Sequence, residues 1–398
     1  MRILASTDID VLIVGAGAAG MTAAIEAGRR GRRVRIIDHA RAPGEKIRIS
    51  GGGRCNFTNL GCGPHAFLGE NPRFATSALK RFTQHDFIKR VDQAGIAWHE
   101  KTLGQLFCDD SAKLIIRMLT DQMREAGVAL SLGVSVDRLS RAGDGFEAAL
   151  SDGSSLRCAS LILATGGKSI QKMGATGWAY ETARSLGLRV TDTRPALVPL
   201  TFEPGLLERL KPLAGVSVEA VVSHGKTKFA EGLLFTHRGL SGPSVLQISS
   251  YWREGEAIAV AMAPDVEVFA QLKAMKAGNG RQAAHTALGQ IVPKRLAEVL
   301  VEQEAASGNL ADLSDKALRR LDQAVNGWSV KPVGSEGYRT AEVTLGGVAT
   351  DQLDQQTMAA KRVPGLYVIG EAVDITGWLG GYNFQWAWSS GWAAGQVA

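Results

Sequence analysis

Four consecutive apolar residues, Val11-Leu12-Ile13-Val14, give way to Gly15-Ala-Gly-Ala-Ala-Gly20 and then to an alanine-rich stretch through Arg29. A short apolar run bounded by glycine predicts a buried strand, and the alanine-rich stretch predicts a helix. Gly31 ends that helix, and Val34-Arg-Ile-Ile37 predicts a second strand closing on Asp38. Strand, glycine turn, helix and strand make one βαβ unit.

Beyond it the pattern changes several times. Glu45 to Pro64 is rich in Gly, Ser, Asn and Arg and predicts a long ordered loop. Phe74, Ala78, Phe82 and then Phe87 and Val91 recur at helical spacing. Ser111 suits the N-cap of a further helix that ends at Gly127. Val128 to Leu132 predicts a strand, Phe146–Leu150 and Ser155–Arg157 a hairpin around Asp152-Gly153, and Leu161–Ala164 another buried strand. After Pro195, apolar residues alternate at Val216, Val218, Ala220 and Val222 and at Ile258, Val260 and Met262, as in antiparallel strands with one solvated face. Asp265 to Asn326 returns to helical spacing, β signals recur at 341–348 and 365–369, and a terminal helix closes the chain. The expected organisation is a nucleotide-binding domain over 1–193 and 341–398, a β-rich insert over 194–264 and 328–340, and a helical insert over 265–327.

Composition narrows the class. The 398 residues carry 45 Lys/Arg against 39 Asp/Glu, a formal charge of +6. We find no block of Lys and Arg and no basic–aromatic interleaving, so a mildly basic surface is expected and no nucleic-acid partner. Residues 1–10 lack the apolar core of a secretory signal, and no apolar run is long enough to cross a membrane, so no membrane association is expected. Cys55, Cys62, Cys108 and Cys158 form no C-x-x-C or metal spacing, which suits the reducing cytoplasm and predicts no metal site. Cys55 and Cys62 are close enough in sequence for a redox disulfide to be weighed against two free thiols.

Gly15-x-Gly17-x-x-Gly20 follows a strand and opens a helix, and Asp38 stands at the end of the next strand. In this arrangement the first glycine permits the turn, the second lets a pyrophosphate touch backbone and the third allows helix–strand contact. Ala18 and Ala19 offer first-turn N–H groups to the phosphates, and Asp38, with His39 beside it, faces the ribose. Leu161-Ile-Leu-Ala-Thr165-Gly166 and Gly365-Leu-Tyr-Val-Ile-Gly370-Glu371 bring two more strand ends, the second with a carboxylate suited to ribitol hydroxyls. Those hydroxyls belong to FAD and not to NAD, and only one G-x-G-x-x-G is present. FAD, held without a covalent bond, is therefore the expected cofactor, with NAD(P)H at most a transient electron donor. The glycine-rich stretch places Lys46, Ser50, Gly51, Gly52, Gly53, Arg54 and Asn56 as further cofactor contacts. Gly380, Gly381, Asn383 and Phe384 open the last helix, whose N-terminus would stabilise charge on a reduced flavin. Trp378, Trp386, Trp388 and Trp392 cluster there, as core packing or as an aromatic wall. His237, in Phe235-Thr-His-Arg238, is either an acid–base candidate or a solvated histidine, and no residue is assigned a catalytic role.

Together Lys46–Asn59, Ala164–Gly177, Ala196-Leu-Val-Pro-Leu200, Leu234–Pro243, Val343–Val348 and Gly377–Ala387 resemble the aminoacetone-oxidase-like, BaiN-type family of NAD(P)/FAD-dependent oxidoreductases, from about residue 10 to the end. The resemblance implies an α/β fold: a Rossmann-type, glutathione-reductase-like FAD domain with an inserted β-barrel-like domain and a small helical insert. It implies an FAD-dependent oxidoreductase acting on a small organic molecule by amine oxidation or double-bond reduction. Lys168-Ser-Ile-Gln-Lys-Met173 and Trp378 depart from the family pattern where a substrate would sit. The alternative is a flavin-dependent protein that modifies or binds nucleic acid, in view of the charge and of related folds that act on tRNA. The sequence leaves the oligomeric state open.

Overall fold

The apolar run at Val11 lies among the parallel strands of a mixed seven-stranded sheet in the computed structural model, which describes residues 7–398. Two compact units emerge, residues 1–194 with 343–398 and residues 195–342. The first unit begins with β1 (Thr7–Val14), α1 (Ala18–Arg29) and β2 (Val34–Asp38). Next come α2 (Glu45–Gly53), β3 (Asn56–Asn59), β4 (Gln105–Cys108), α3 (Ala112–Glu125) and β5 (Ala129–Leu132). The hairpin β6 (Val136–Ala142) and β7 (Gly145–Leu150) leads into β8 (Ser155–Leu163). β9 (Leu366–Val368) and α4 (Tyr382–Gly395) complete the unit from the far end of the chain.

β1 pairs in parallel with β2 on one side and β8 on the other, β5 extends the sheet beyond β2, and β9 joins β8. Val11, Leu12, Ile13, Ile36, Ile37, Leu161, Ile162 and Leu163 are fully enclosed, because a parallel sheet is covered on both faces and its strands need continuous apolar runs. α4 lies directly on α1. A Cβ on Gly391 would stand 2.4 Å from the carbonyl oxygen of Ala19, and one on Gly395 would stand 2.6 Å from Cβ of Glu26. This close approach draws the last residues of the chain into the same core as the first strand.

The stretch expected to be a loop is ordered secondary structure. α2 buries Ile47, breaks at Ser50, and turns through Gly51 and Gly52 at φ +56° and +66° into β3. Cys55, Phe57 and Thr58 are fully buried. The signal was hidden because half the buried positions are polar: Asn56, Thr58 and Asn59 carry hydrogen bonds rather than apolar surface.

The inserted unit holds a seven-stranded sheet whose pairings are antiparallel, including Ser217–His224, Thr227–Phe235 and Ile258–Ala261. Helices Val268–Gly278, Lys294–Gln303 and Asp315–Asn326 carry Leu272, Leu296, Leu318 and Leu321 fully buried. The helical spacing therefore belongs to the same compact unit as the β-rich part.

All four cysteines are free thiols, so no disulfide joins Cys55 to Cys62. Burial pushes Cys62 up to about 12 and Cys158 up to about 11, and burial with nearby Asp109 pushes Cys108 up to about 12. Burial also raises the Cys55 thiol. A thiol near 12 leaves on the order of one thiolate in ten thousand at about pH 8. The folded protein should therefore react with iodoacetamide at that pH far more slowly than the unfolded chain; mass-counted labelling as fast as in denaturant would contradict the burial.

Candidate cofactor and active site

The site is built where the C-terminal ends of β1, β8 and β9 meet α1. Two of the three fingerprint glycines answer to the protein's own packing. A Cβ on Gly15 would stand 2.4 Å from the carbonyl oxygen of Ala164, and one on Gly20 would stand 1.9 Å from that of Gly15. Gly17 does not: its φ is −87° and a Cβ there would meet nothing within 4 Å. Open space at this N-cap, beside the N–H groups of Ala18 and Ala19 and with no capping side chain, suits a phosphate against backbone.

The other predicted segments converge on this turn. Gly370 takes φ +64°, and a Cβ there would stand 2.9 Å from that of Ala19, which brings the end of β9 against the first turn of α1. Past β8, the hydroxyl oxygen of Thr165 is buried without a hydrogen-bond partner. A buried orphan hydroxyl is costly, and a ligand with donors or acceptors would satisfy it. A Cβ on Gly166 would stand 3.8 Å from Oε2 of Glu371, so the two late segments touch. The void at Gly17 and the orphan at Thr165 fit a dinucleotide cofactor.

Asp38 stands at the end of β2, and its carboxylate accepts from the N–H of Ala16 at 2.7 Å and of Ala40 at 2.8 Å. This fixes the carboxylate beside the glycine turn while each oxygen keeps a further lone pair. Exposed His39 has Nδ1 at 3.5 Å from Asp38.

Glu371 is the most heavily engaged group. Lys46 Nζ donates to its Oε2 at 2.6 Å and to Ser169 Oγ at 2.7 Å, Ser169 Oγ donates to Oε1 at 2.8 Å, and the Thr344 N–H donates to Oε1 at 3.0 Å. No local sequence pattern pairs Ser169 or Thr344 with this carboxylate. The available signal was the placement of single polar residues in otherwise apolar or glycine-rich strand ends. Removing this carboxylate leaves the Thr344 N–H without its acceptor and Lys46 with Ser169 alone. Glu371→Ala should weaken FAD binding to the apoprotein by about 1–3 kcal/mol; an unchanged titration would remove Glu371 from the cofactor site.

Several sequence candidates serve the scaffold. Ser50 Oγ donates to the carbonyl of Ile47, and Asn56 bonds Gln105 across β3 and β4. Asn383 clamps the Gly377–Trp378 segment, accepting from the Gly377 N–H at 2.8 Å and donating to its carbonyl at 2.9 Å. Phe384 stacks on Trp388. Gly51 packs on Phe107, whereas a Cβ on Gly52 would meet nothing within 4 Å and one on Gly53 only the Arg48 carbonyl at 3.9 Å. Arg54 is exposed. Gly380 and Gly381 sit on Gln105 and Thr58 at the start of α4. Trp386 and Trp388 are buried core residues, Trp392 stacks on Phe82, and half-buried Trp378 packs edge-on against His65. His237 lies exposed in the inserted unit. Among the described residues no group of His, Cys, Asp and Glu could hold a metal ion, and no helix is long and apolar enough to cross a membrane.

Comparison with known proteins places this fold. Two solved structures share the fold: a 3-ketosteroid-Δ4-(5α)-dehydrogenase from Rhodococcus jostii (TM-score 0.51, 15% identity, 99% of this chain and 98% of that one) and an E. coli quinol fumarate reductase FrdA variant (TM-score 0.50, 16% identity, 99% and 70%). A ribosomal RNA dihydrouridine synthase of Escherichia coli is 51% identical over 97% of both chains, and one of Haemophilus influenzae is 41% identical over 96% of both. A 3-dehydro-bile acid Δ(4,6)-reductase of Clostridium scindens is 31% identical over 97% of this chain and 98% of its own. The family described as HI0933-like protein Rossmann domain matches residues 9–397. With that match over almost the whole chain, the protein belongs to the HI0933-like family of Rossmann flavoproteins and is an FAD-dependent oxidoreductase.

Proposed function

We propose that the protein reduces the C5–C6 double bond of a uridine in ribosomal RNA to give dihydrouridine. The observation that carries this reading is the 51% identity, over 97% of both chains, to a relative with that name. The Clostridium relative is named for reduction of carbon–carbon double bonds in another ring system, so the same chemistry spans the more distant member. None of these three names is that of an amine oxidase, and the aminoacetone-oxidase likeness has no counterpart among them. The reading departs from the expectation of no nucleic-acid partner and takes up the alternative, a flavin-dependent protein that modifies nucleic acid; the names of the two ribosomal RNA dihydrouridine synthases support it.

FAD, when bound, supplies a hydride equivalent to one carbon of the double bond, and a proton completes the other. The chain's part is to hold the cofactor: the α1 N-terminus at Gly17 for the pyrophosphate, Asp38 for the ribose, and Glu371 with Lys46 and Ser169 for the ribitol end. NADH or NADPH is the proposed source of electrons. Among the described residues β1–α1 is the one strand–glycine-turn–helix unit of fingerprint form, and FAD takes it. A nicotinamide nucleotide then docks only transiently, so flavin reduction in stopped flow should saturate only at high nucleotide concentration; rapid reduction saturating at micromolar NADPH would overturn this weak-docking prediction.

The function is tested by deleting the gene and measuring nucleosides of purified ribosomal RNA by mass spectrometry. Loss of dihydrouridine, restored by the wild-type gene, supports the proposal. An unchanged dihydrouridine content sinks it and favours a small unsaturated substrate.

A further inference from the structure

One stretch of the cofactor unit is held in a shape that its sequence does not favour. Past β8 the chain runs Gly166-Gly167-Lys168-Ser169-Ile170-Gln171-Lys172-Met173-Gly174 before the helix Trp178–Ser185. Ser169 is fully buried; its hydroxyl donates to Glu371 Oε1 at 2.8 Å and accepts from Lys46 Nζ at 2.7 Å. The next residue, Ile170, is left-handed, at φ +61° and ψ +56°. A β-branched residue rarely enters that region, and one that stays there is held by its surroundings. A 3₁₀ turn, Gln171–Met173, follows. Gly174, at φ +87°, then packs on the ring of His39, where a Cβ would stand 2.2 Å from Nε2. Residues 169–174 are thus tied at one end to Glu371 and at the other to the residue that follows Asp38.

The strand order fixes where this segment lies. β1 pairs in parallel with β2 on one side and β8 on the other, so its C-terminal end, with Gly15 and Gly17 just beyond, stands between the ends of β2 and β8. The segment leaves the end of β8 and reaches the end of β2. Those strands are two spacings apart, roughly 10 Å. Five residue steps reach at most about 17 Å when fully extended, and a 3₁₀ turn, which rises only about 2 Å per residue, shortens that reach. Little length remains for a detour, so residues 169–174 cross the C-terminal edge of the sheet at β1, where a ligand of an open α/β sheet sits. Ile170 and Met173 are half-buried, whereas Gln171 and Lys172 are exposed.

We infer that residues 169–174 form a strap across the pyrophosphate and adjoining ribose of bound FAD, and that the cofactor enters and leaves when the His39 end of the strap opens. The glycine turn is then the floor of the cofactor crevice and the strap its roof. This concerns retention of the cofactor and stands independently of the RNA reading. The two ends of the strap are unequal. Ser169 is locked into the polar cluster of Lys46 and Glu371, while exposed His39 meets Gly174 by packing. The strap therefore hinges at Ser169 and lifts at Gly174. The left-handed backbone of Ile170, next to the fixed end, stores strain that favours lifting, and contact with the cofactor opposes it.

The test measures exchange of bound FAD with excess isotopically labelled FAD in the holoprotein, counted after rapid desalting, for wild type, Gly174→Val and Gly187→Val. Gly187 is also left-handed, at φ +83°, but a Cβ there would meet nothing within 4 Å, so its variant carries the backbone strain without the His39 contact. Valine at 174 suits neither the backbone angle nor the space beside His39, and the strap cannot close. Exchange in Gly174→Val should be at least roughly tenfold faster than in Gly187→Val, which should stay within about twofold of wild type. Trypsin gives a second reading that needs no variant. Cleavage at exposed Lys172, counted by mass against cleavage at exposed Lys226 in the inserted unit, should be at least roughly tenfold slower in FAD-bound wild type than in wild type stripped of FAD. Exchange in Gly174→Val within about twofold of Gly187→Val, or equal relative cleavage at Lys172 with and without FAD, would overturn the strap, whether or not the protein acts on RNA.

Discussion

Gly17→Val should purify as a folded protein almost devoid of FAD. The backbone at Gly17 has an ordinary negative φ and the added side chain meets no protein atom within 4 Å of Cβ, so the apoprotein has little reason to object. The branched side chain instead fills the space where phosphate must touch the α1 N-terminus. We expect flavin content to drop by at least tenfold, read from the absorbance ratio of flavin to protein, with the far-ultraviolet circular dichroism unchanged. Full flavin content in the variant would remove this turn from the cofactor site.

Gly391→Val should have the opposite character and destabilise the fold itself. A Cβ at that position lands 2.4 Å from the Ala19 carbonyl and 3.1 Å from Thr22, in the contact between α1 and α4. Backbone cannot yield as a side-chain tip can, so the helices must separate, at a cost above about 3 kcal/mol and with loss of the buried surface around Trp386 and Trp388. Thermal melting of the apoprotein measures it. A melting temperature within a degree or two of wild type would show that α4 does not pack on α1 as described. The pair of variants separates ligand space from packing space, two uses of glycine that look alike in a sequence.

Much of this architecture could be read from residues alone, and the failures have identifiable physical causes. β1, α1 and β2 were legible because a buried parallel strand must be continuously apolar and the glycine turn between strand and helix has few solutions. Ser111 was legible as a cap, and its side chain accepts from the Lys113 N–H. α2 and β3 were not, because solvent-facing glycines interrupt the helix and half the buried positions are the polar Asn56, Thr58 and Asn59, two of which bond partners as remote as Gln385 and Gly380. The Lys46–Ser169–Glu371 cluster joins residues 123 and 325 positions from Lys46, and no local pattern encodes such a meeting. Asn383 carried a plausible motif position but is spent on the turn before its own helix. The run Arg29-Arg30-Gly31-Arg32-Arg33-Val34-Arg35 corrects the expectation of no Lys/Arg block; a glycine and a valine divide it, and Glu26 and Asp10 stand against Arg29 and Arg33.

The proposal that this flavoprotein reduces a base in ribosomal RNA makes a single-turnover experiment decisive. The protein is reduced anaerobically with a stoichiometric chemical reductant and mixed with ribosomal RNA from a strain lacking the gene. The flavin band is followed in stopped flow and the RNA nucleosides are analysed afterwards. Rapid reoxidation without oxygen, with one dihydrouridine formed per flavin reoxidised, is the predicted outcome. A flavin that stays reduced in the presence of this RNA, yet is reoxidised by a small unsaturated ketone, would contradict the proposal.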